Sequence, residues 1–149
     1  MTELAEIPNV TAVKQAHDDL DEARHIVDVG LDLYSGDDNV LFPFLRVGAI
    51  GVVSVLAHIV GPQLKAMIRT YKGGDEDGAR RIDEELEPIF ELLKITVNPI
   101  PIKAALNLLG HDVGGYRLPL VPPTDQELAR VRECLESVGL QVPAAYVKG

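Results

Sequence analysis

Three short apolar runs, each followed by a polar turn and a helical pattern, begin about 20 residues apart in this chain, and that spacing constrains its fold more than any other feature. The runs are residues 10–14 (VTAVK), 31–34 (LDLY) and 51–57 (GVVSVLA). After the first, Asp18 or Asp19 can cap a helix through about Val29, with Leu20, Ala23, Ile26 and Val27 on one face. After the second, Asp37 or Asp38 can cap a helix through about Val47, distorted near Pro43. Strand and helix alternating at this interval specify a parallel sheet with crossover helices. From about Gly61 only helical patterns follow, over 61–72, 75–94, 99–109 and 124–138. Gly73-Gly74, NPIP at 98–101 and LPLVPP at 118–123 punctuate them, and 141–149 read as a loose tail. Residues 2–7 read as the last turns of a helix stopped by Pro8.

Three parallel strands make a poor free-standing sheet, because parallel sheets are normally covered on both faces and both edges here would be open. Short, apolar, evenly spaced strands are what a (β/α)8 barrel contributes, and such barrels take about 250 residues. The 149 residues here are too few for one. The expected fold is therefore α/β: a partial (β/α)8 (TIM) barrel comprising the last three strands, followed by a carboxy-terminal helical region. Residues 1–60 would be the carboxy-terminal part of the barrel, and 61–149 the last barrel helix and a helical extension. On this reading the chain starts inside a longer pattern.

With 46% hydrophobic residues the chain can bury a real core. A formal net charge of -9 leaves no basic patch for counterion release, which argues against nucleic acid and anionic membrane surfaces as partners. No apolar run reaches the roughly 18 to 20 residues of a membrane span, and MTELAEIPN lacks the basic-then-apolar pattern of a leader. A soluble, cytoplasmic protein is expected. Cys134 is the single cysteine, so no internal disulfide can form, and it reads as an ordinary helix residue.

Active sites of such barrels sit at the carboxy-terminal ends of the strands and in the loops beyond them. Three features fall there: Lys14, the turn Ser35-Gly36-Asp37-Asp38, and the Val53-Ser54-Val55 end of the third run. An amine held among apolar neighbours is disfavoured in its charged form, and a neutral amine can attack a carbonyl to form a Schiff base. Spacing alone leaves two plainer readings open, in which Lys14 snorkels to solvent or pairs with an aspartate. SGDD likewise reads as a turn whose aspartates cap the next helix. Gly48 and Gly51 lack the further glycine of a dinucleotide fingerprint and precede the strand, so they read as turn glycines. The 4 histidines, His17, His25, His58 and His111, show no metal-ligand spacing. His17, three residues past Lys14, reads as a solvated loop residue or a base bordering the site. Glu84, Glu85, Glu87 and Glu91, with Arg80 and Arg81, read as the solvated face of a long helix.

The segments VTAVKQAHDDL, LYSGDDNVLFPFLRVGAIGVVSV, NPIPIKAAL and YRLPLVP, taken in order, resemble the dihydrodipicolinate synthase (4-hydroxy-tetrahydrodipicolinate synthase) family. The likeness runs from about Leu4 to Leu140 and corresponds to the carboxy-terminal half of that family's protein. SGDD and the Gly48, Gly51, Ser54 spacing are shared with the wider group of pyruvate-dependent Schiff-base aldolases, whereas NPIPIK leans toward the synthase.

The resemblance implies a (β/α)8 barrel with a helical carboxy-terminal domain, usually a homotetramer, that condenses pyruvate with L-aspartate 4-semialdehyde in diaminopimelate and lysine biosynthesis. It implies a lyase of the Schiff-base aldolase type that needs no cofactor. On it, Lys14 matches the Schiff-base lysine, Val53 the residue whose backbone contacts pyruvate, and Gly36 a residue of the turn lining that pocket. The family's proton-relay tyrosine, substrate-binding arginine and threonine pair belong to its amino-terminal half, and Tyr34, Tyr71, Tyr116 and Tyr146 lie in other segments. His17-Asp18 stands where the family carries a small residue and glycine. A fragment inactive by itself is therefore expected. Two alternatives stand beside it: a related aldolase acting on a sugar acid or N-acetylneuraminate, and a non-catalytic half-barrel that pairs with another chain through its open sheet edge.

Overall fold

A computed structural model describes residues 1–143. Part of the expected tail, 144–149, and Tyr146 with it, lies outside the described residues. The chain runs through α1 (Thr2–Ala5), β1 (Ala12–Gln15), α2 (Leu20–Asp28) and β2 (Asp32–Ser35). A 3-10 turn (Asp38–Val40) leads into α3 (Leu41–Arg46), followed by β3 (Gly51–Val52), α4 (Ala57–Lys72) and α5 (Glu76–Phe90). A second 3-10 turn (Glu91–Lys94), α6 (Ile100–Leu108) and α7 (Asp125–Ser137) complete it. There are two compact units, Met1–Glu84 and the residues from Glu85 onward. No helix of the described residues is long and apolar enough to cross a membrane.

The first unit is α/β. Its three strands are all parallel in the order β1-β2-β3, with Lys14 beside Tyr34, Gln15 beside Ser35, and Tyr34 beside Gly51. Asp19, not Asp18, caps α2: its carboxylate accepts from the amides of Asp21 and Glu22, both at 3.0 Å, satisfying two donors a helix leaves free at its start. Ala23 and Ile26 of that helix are buried with Leu31, Leu33, Phe44 and Ala49, and Val10, Val13, Val27 and Val47 pack around them. Each large side chain fully withdrawn from water there contributes about 1.5–3 kcal/mol. Leu20, expected on the same face, is instead 38% exposed because it is the first helical residue and lies beyond the edge of that cluster.

These side chains cover one face of the sheet. On the other, Ala12, Lys14 and Asp32 are exposed and Tyr34 is half-buried. Alternation puts successive side chains on opposite faces, so the expectation of a buried first strand holds only for the row of Val13 and Gln15. Pairing a parallel sheet with helices on a single face fits a piece of a larger closed structure.

The third strand is much shorter than the run 51–57 suggests. Pairing ends at Val52, and the amides of Val55, Leu56 and Ala57 turn away to other acceptors described below. The helix expected from Gly61 accordingly begins at Ala57. Val60, with φ -119° and ψ 26°, breaks its regularity two residues before Pro62, whose ring excludes a straight helix. Pro43, by contrast, lies in the first turn of α3, where a missing amide costs little. Lys72 Nζ donates to the Ile50 carbonyl at 2.9 Å, tying the end of α4 to the start of β3.

In the second unit, α6, α7 and the turn Glu91–Lys94 pack on one another. Ile100, Ile102, Ala104, Ala105 and Leu108 of α6 are buried, as are Leu92 of the turn and Val131 and Leu135 of α7. Thr124 and Glu127 form a reciprocal capping box at the start of α7. Glu84, Glu85, Glu87 and Glu91 are exposed, as a solvated helix face requires.

Candidate active site at the strand ends

The carboxy-terminal ends of β1, β2 and β3 lie side by side because the strands are parallel and in sequence order. Lys14 is the last outward-facing residue of β1. Its side chain is exposed, not buried among apolar neighbours, since nothing among the described residues covers that face. Gln15, next in the strand, faces the helices and is 4% exposed; its Nε2 donates to the Asp19 carbonyl at 2.7 Å. That bond fixes the turn through His17 and Asp18. His17 finds partners on the elements flanking the turn: Nε2 lies 3.2 Å from Glu22 Oε2 of α2, and Nδ1 lies 3.3 Å from Gln15 Nε2 of β1. Both His17 and Glu22 are about half exposed, a setting in which such pairs contribute less than about 1 kcal/mol.

Gly36 follows β2 and is buried. Its amide donates to the Gln15 carbonyl at 2.6 Å, and a β-carbon there would approach Ala16 Cα to 2.8 Å. The close approach, not a left-handed backbone, is what calls for glycine. Ser35 Oγ donates to the Asp37 carbonyl at 2.7 Å, closing the turn from within.

Asp37 and Asp38 do not cap the helix that follows them. Asp37 stands at the cap position with no side-chain bond to it, and Asp38 opens the 3-10 turn with its carboxylate aimed elsewhere. Its Oδ1 accepts from Ser54 Oγ, and its Oδ2 accepts from the amides of Val55 at 3.0 Å and Leu56 at 3.1 Å. Ser54 Oγ accepts in turn from the Ala57 amide at 2.7 Å. Asp38 therefore caps α4 across the chain. A helix cap is ordinarily sought within three residues of the helix start, so local pattern could not reveal this one.

Val53 lies just past β3. Its amide donates to the Ser35 carbonyl at 2.8 Å, extending the bonding of β2 by one residue, while 47% of its surface stays exposed. Lys14, Gly36 and Val53 thus occupy three consecutive strand ends. Gly48, with φ 106°, is a turn glycine as expected, whereas Gly51 begins β3 and adjoins the Tyr34 ring. Tyr71 packs edge-on against Phe42 with centroids 6.3 Å apart, and Tyr116 donates to the Ile100 carbonyl at 3.3 Å, so both have local partners. Among the described residues no three His, Cys, Asp or Glu side chains gather as a metal site.

Comparison with known proteins bears on this arrangement. A 4-hydroxy-tetrahydrodipicolinate synthase from Cyanothece sp. is 46% identical over 140 residues, which cover 92% of this chain and 48% of the relative. The enzyme of the same name from Heliobacterium modesticaldum is 47% identical over 135 residues, covering 89% and 45%. Among solved structures, DHDPS from Cyanidioschyzon merolae with lysine bound superposes with a TM-score of 0.90 at 39% identity, covering 94% of this chain and 49% of that one. Dihydrodipicolinate synthase from Aquifex aeolicus gives 0.90 at 34% identity, covering 95% and 50%. The chain spans about half the length of the curated relatives it matches. The family model described as the Dihydrodipicolinate synthetase family matches residues 1–138, nearly everything the structure describes. With parallel strands in sequence order, helices on one face and a lysine at the first strand end, the chain belongs to the dihydrodipicolinate synthetase family.

Proposed function

We propose that this chain is the carboxy-terminal part of a 4-hydroxy-tetrahydrodipicolinate synthase, and that β1, β2 and β3 are the last three strands of its (β/α)8 barrel. Residues up to about 60 belong to the barrel, and those beyond it to the last barrel helix and a helical extension. The whole protein condenses pyruvate with L-aspartate 4-semialdehyde.

In this reading the Lys14 amine adds to the pyruvate ketone and water leaves, forming an iminium. The iminium draws electrons from the adjacent methyl group, whose proton passes to a base; the resulting enamine carbon attacks the aldehyde. Val53 contacts the bound keto acid through its backbone carbonyl, its amide being held by the Ser35 carbonyl, and Gly36 lies in the turn that lines the pocket. The base is assigned to no residue of this chain. Further strands, from the rest of the whole protein, cover the open face that bears Lys14. The observation that carries the reading is the exposed Lys14 at a parallel strand end, adjoining the ends that bear Gly36 and Val53, in a chain 46% identical to a synthase of that name.

The test is reductive trapping. The chain, alone and combined with the amino-terminal half of a relative, is treated with pyruvate and borohydride and mapped by mass spectrometry. Label is expected on Lys14 in the combined sample. Its absence there overturns the Schiff-base assignment, and full turnover by the chain alone overturns the division of labour.

A further inference from the structure

Most charged side chains among the described residues meet solvent or a neighbour on their own element. Asp38 does neither. It is 2% exposed, and both of its oxygens are taken by groups 16 to 18 residues away. A buried carboxylate costs several kcal/mol unless its lone pairs are met, and a serine or threonine would cap a helix at less expense.

What the carboxylate adds is grip on consecutive residues. Ser54, Val55 and Leu56 all donate to it, and Ser54 Oγ at the same time accepts from Ala57. The residue just before this clamp is Val53, whose amide is bound to the Ser35 carbonyl at 2.8 Å. Val53 is therefore tethered by β2 on one side and by Asp38 on the other. These bonds also occupy the amides of Val55, Leu56 and Ala57 at the start of α4, which leaves them no part in holding an external anion.

We propose that Asp38 is a positioning residue for the α-keto acid: by clamping Ser54 to Leu56 it holds the Val53 backbone at the strand end, so that the acid is oriented while its ketone meets Lys14. Asp38 does not touch the substrate. The proposal rests on the pyruvate reading of the site.

Asp38→Asn keeps the size of the side chain and removes its charge. In the combined sample that labels, the pyruvate concentration giving half-maximal trapping at Lys14 should rise about tenfold, with the label at saturation retained. Ser54→Ala should move it the same way by less, and Asp28→Asn, at the exposed end of α2, should leave it unchanged. A residue that only stabilises the fold would lower the unfolding midpoint and leave half-saturation where it was; that result overturns the proposal. Amide exchange in the chain alone separates this from the function itself. Asp38→Asn should speed exchange at Val55, Leu56 and Ala57 about tenfold while Leu33 and Phe44 stay protected. If the unsubstituted sample fails to label, the pyruvate reading falls and exchange decides the clamp: unchanged local rates overturn it, and faster ones uphold it.

Discussion

The amide of Gly36 donates to the carbonyl of Gln15 at 2.6 Å, and a β-carbon at Gly36 would lie 2.7 Å from that same oxygen. The loop after β2 is pressed onto the end of β1, and the contact is backbone on backbone, which cannot yield as a flexible side chain does.

Gly36→Ala should therefore destabilise the chain by about 1–3 kcal/mol, the usual cost of forcing a group into a filled space. Gly30→Ala is the comparison, because no atom lies within 4 Å of its added carbon and only its φ of +85° opposes the change. Urea unfolding of both should show a smaller loss at Gly30, about 1–2 kcal/mol. Midpoints that fall equally would mean the Gly36 contact is soft.

Lys14 is exposed, so Lys14→Ala should shift stability by no more than about 0.5 kcal/mol. Trapping by borohydride should vanish all the same. Lys14→Arg should also abolish it, since a guanidinium stays protonated and does not form the iminium. Mass spectrometry of the trapped sample, with a thermal scan beside it, checks both halves.

At the start of α7, the carboxylate of Glu127 accepts from the Thr124 amide at 2.7 Å and hydroxyl at 2.9 Å. Its pKa is held below the ordinary 4.5, chiefly by the backbone bond from Thr124 and then by the hydroxyl. A carboxylate with a lowered pKa in the folded state stabilises above its unfolded pKa and stops doing so as pH falls through the folded one. Glu127→Gln should therefore lower the unfolding midpoint at neutral pH, by an amount that shrinks as pH falls below about 4.5. Thr124→Ala should cost about 1 kcal/mol, the ordinary price of a lost cap. A pH series of thermal midpoints reads the first effect, and a difference that persists unchanged into acid would contradict it.

Cys134 is partly buried, and withdrawal from water raises its thiol above the ordinary 9.0, with Glu91 and Glu133 adding to the rise against Arg130. Only the thiolate reacts with alkylating agents. Iodoacetamide at pH 8 should modify the folded chain at least about threefold more slowly than the same chain in urea. Equal rates would show that burial does not govern the thiol.

The parts of the fold legible in the sequence are those set by neighbours a few residues apart. The three strands, the cap at Asp19, the apolar positions Ala23 and Ile26, and the helices after Gly61 all follow from local period and local polar chemistry. What escaped depends on contacts far along the chain. Asp38 finds its donors at Ser54, Val55 and Leu56, and that same contact cuts the third strand short at Val52. The strand ends that carry Lys14, Gly36 and Val53 could be located from the sequence, but the exposure of Lys14 could not. An apolar run does not say which of its two faces will be covered.

The alternation in β1 carries one more consequence. Lys14 faces outward between Val13, which packs against the helices, and Gln15, which is buried. Sliding β1 by a single residue against β2 would drive the ammonium group into the space lined by Ala23, Ile26 and Phe44 and push Val13 into water. A mispaired sheet is thus penalised at the very residue proposed to carry out the chemistry. Lys14 selects the strand alignment independently of any chemistry proposed for it.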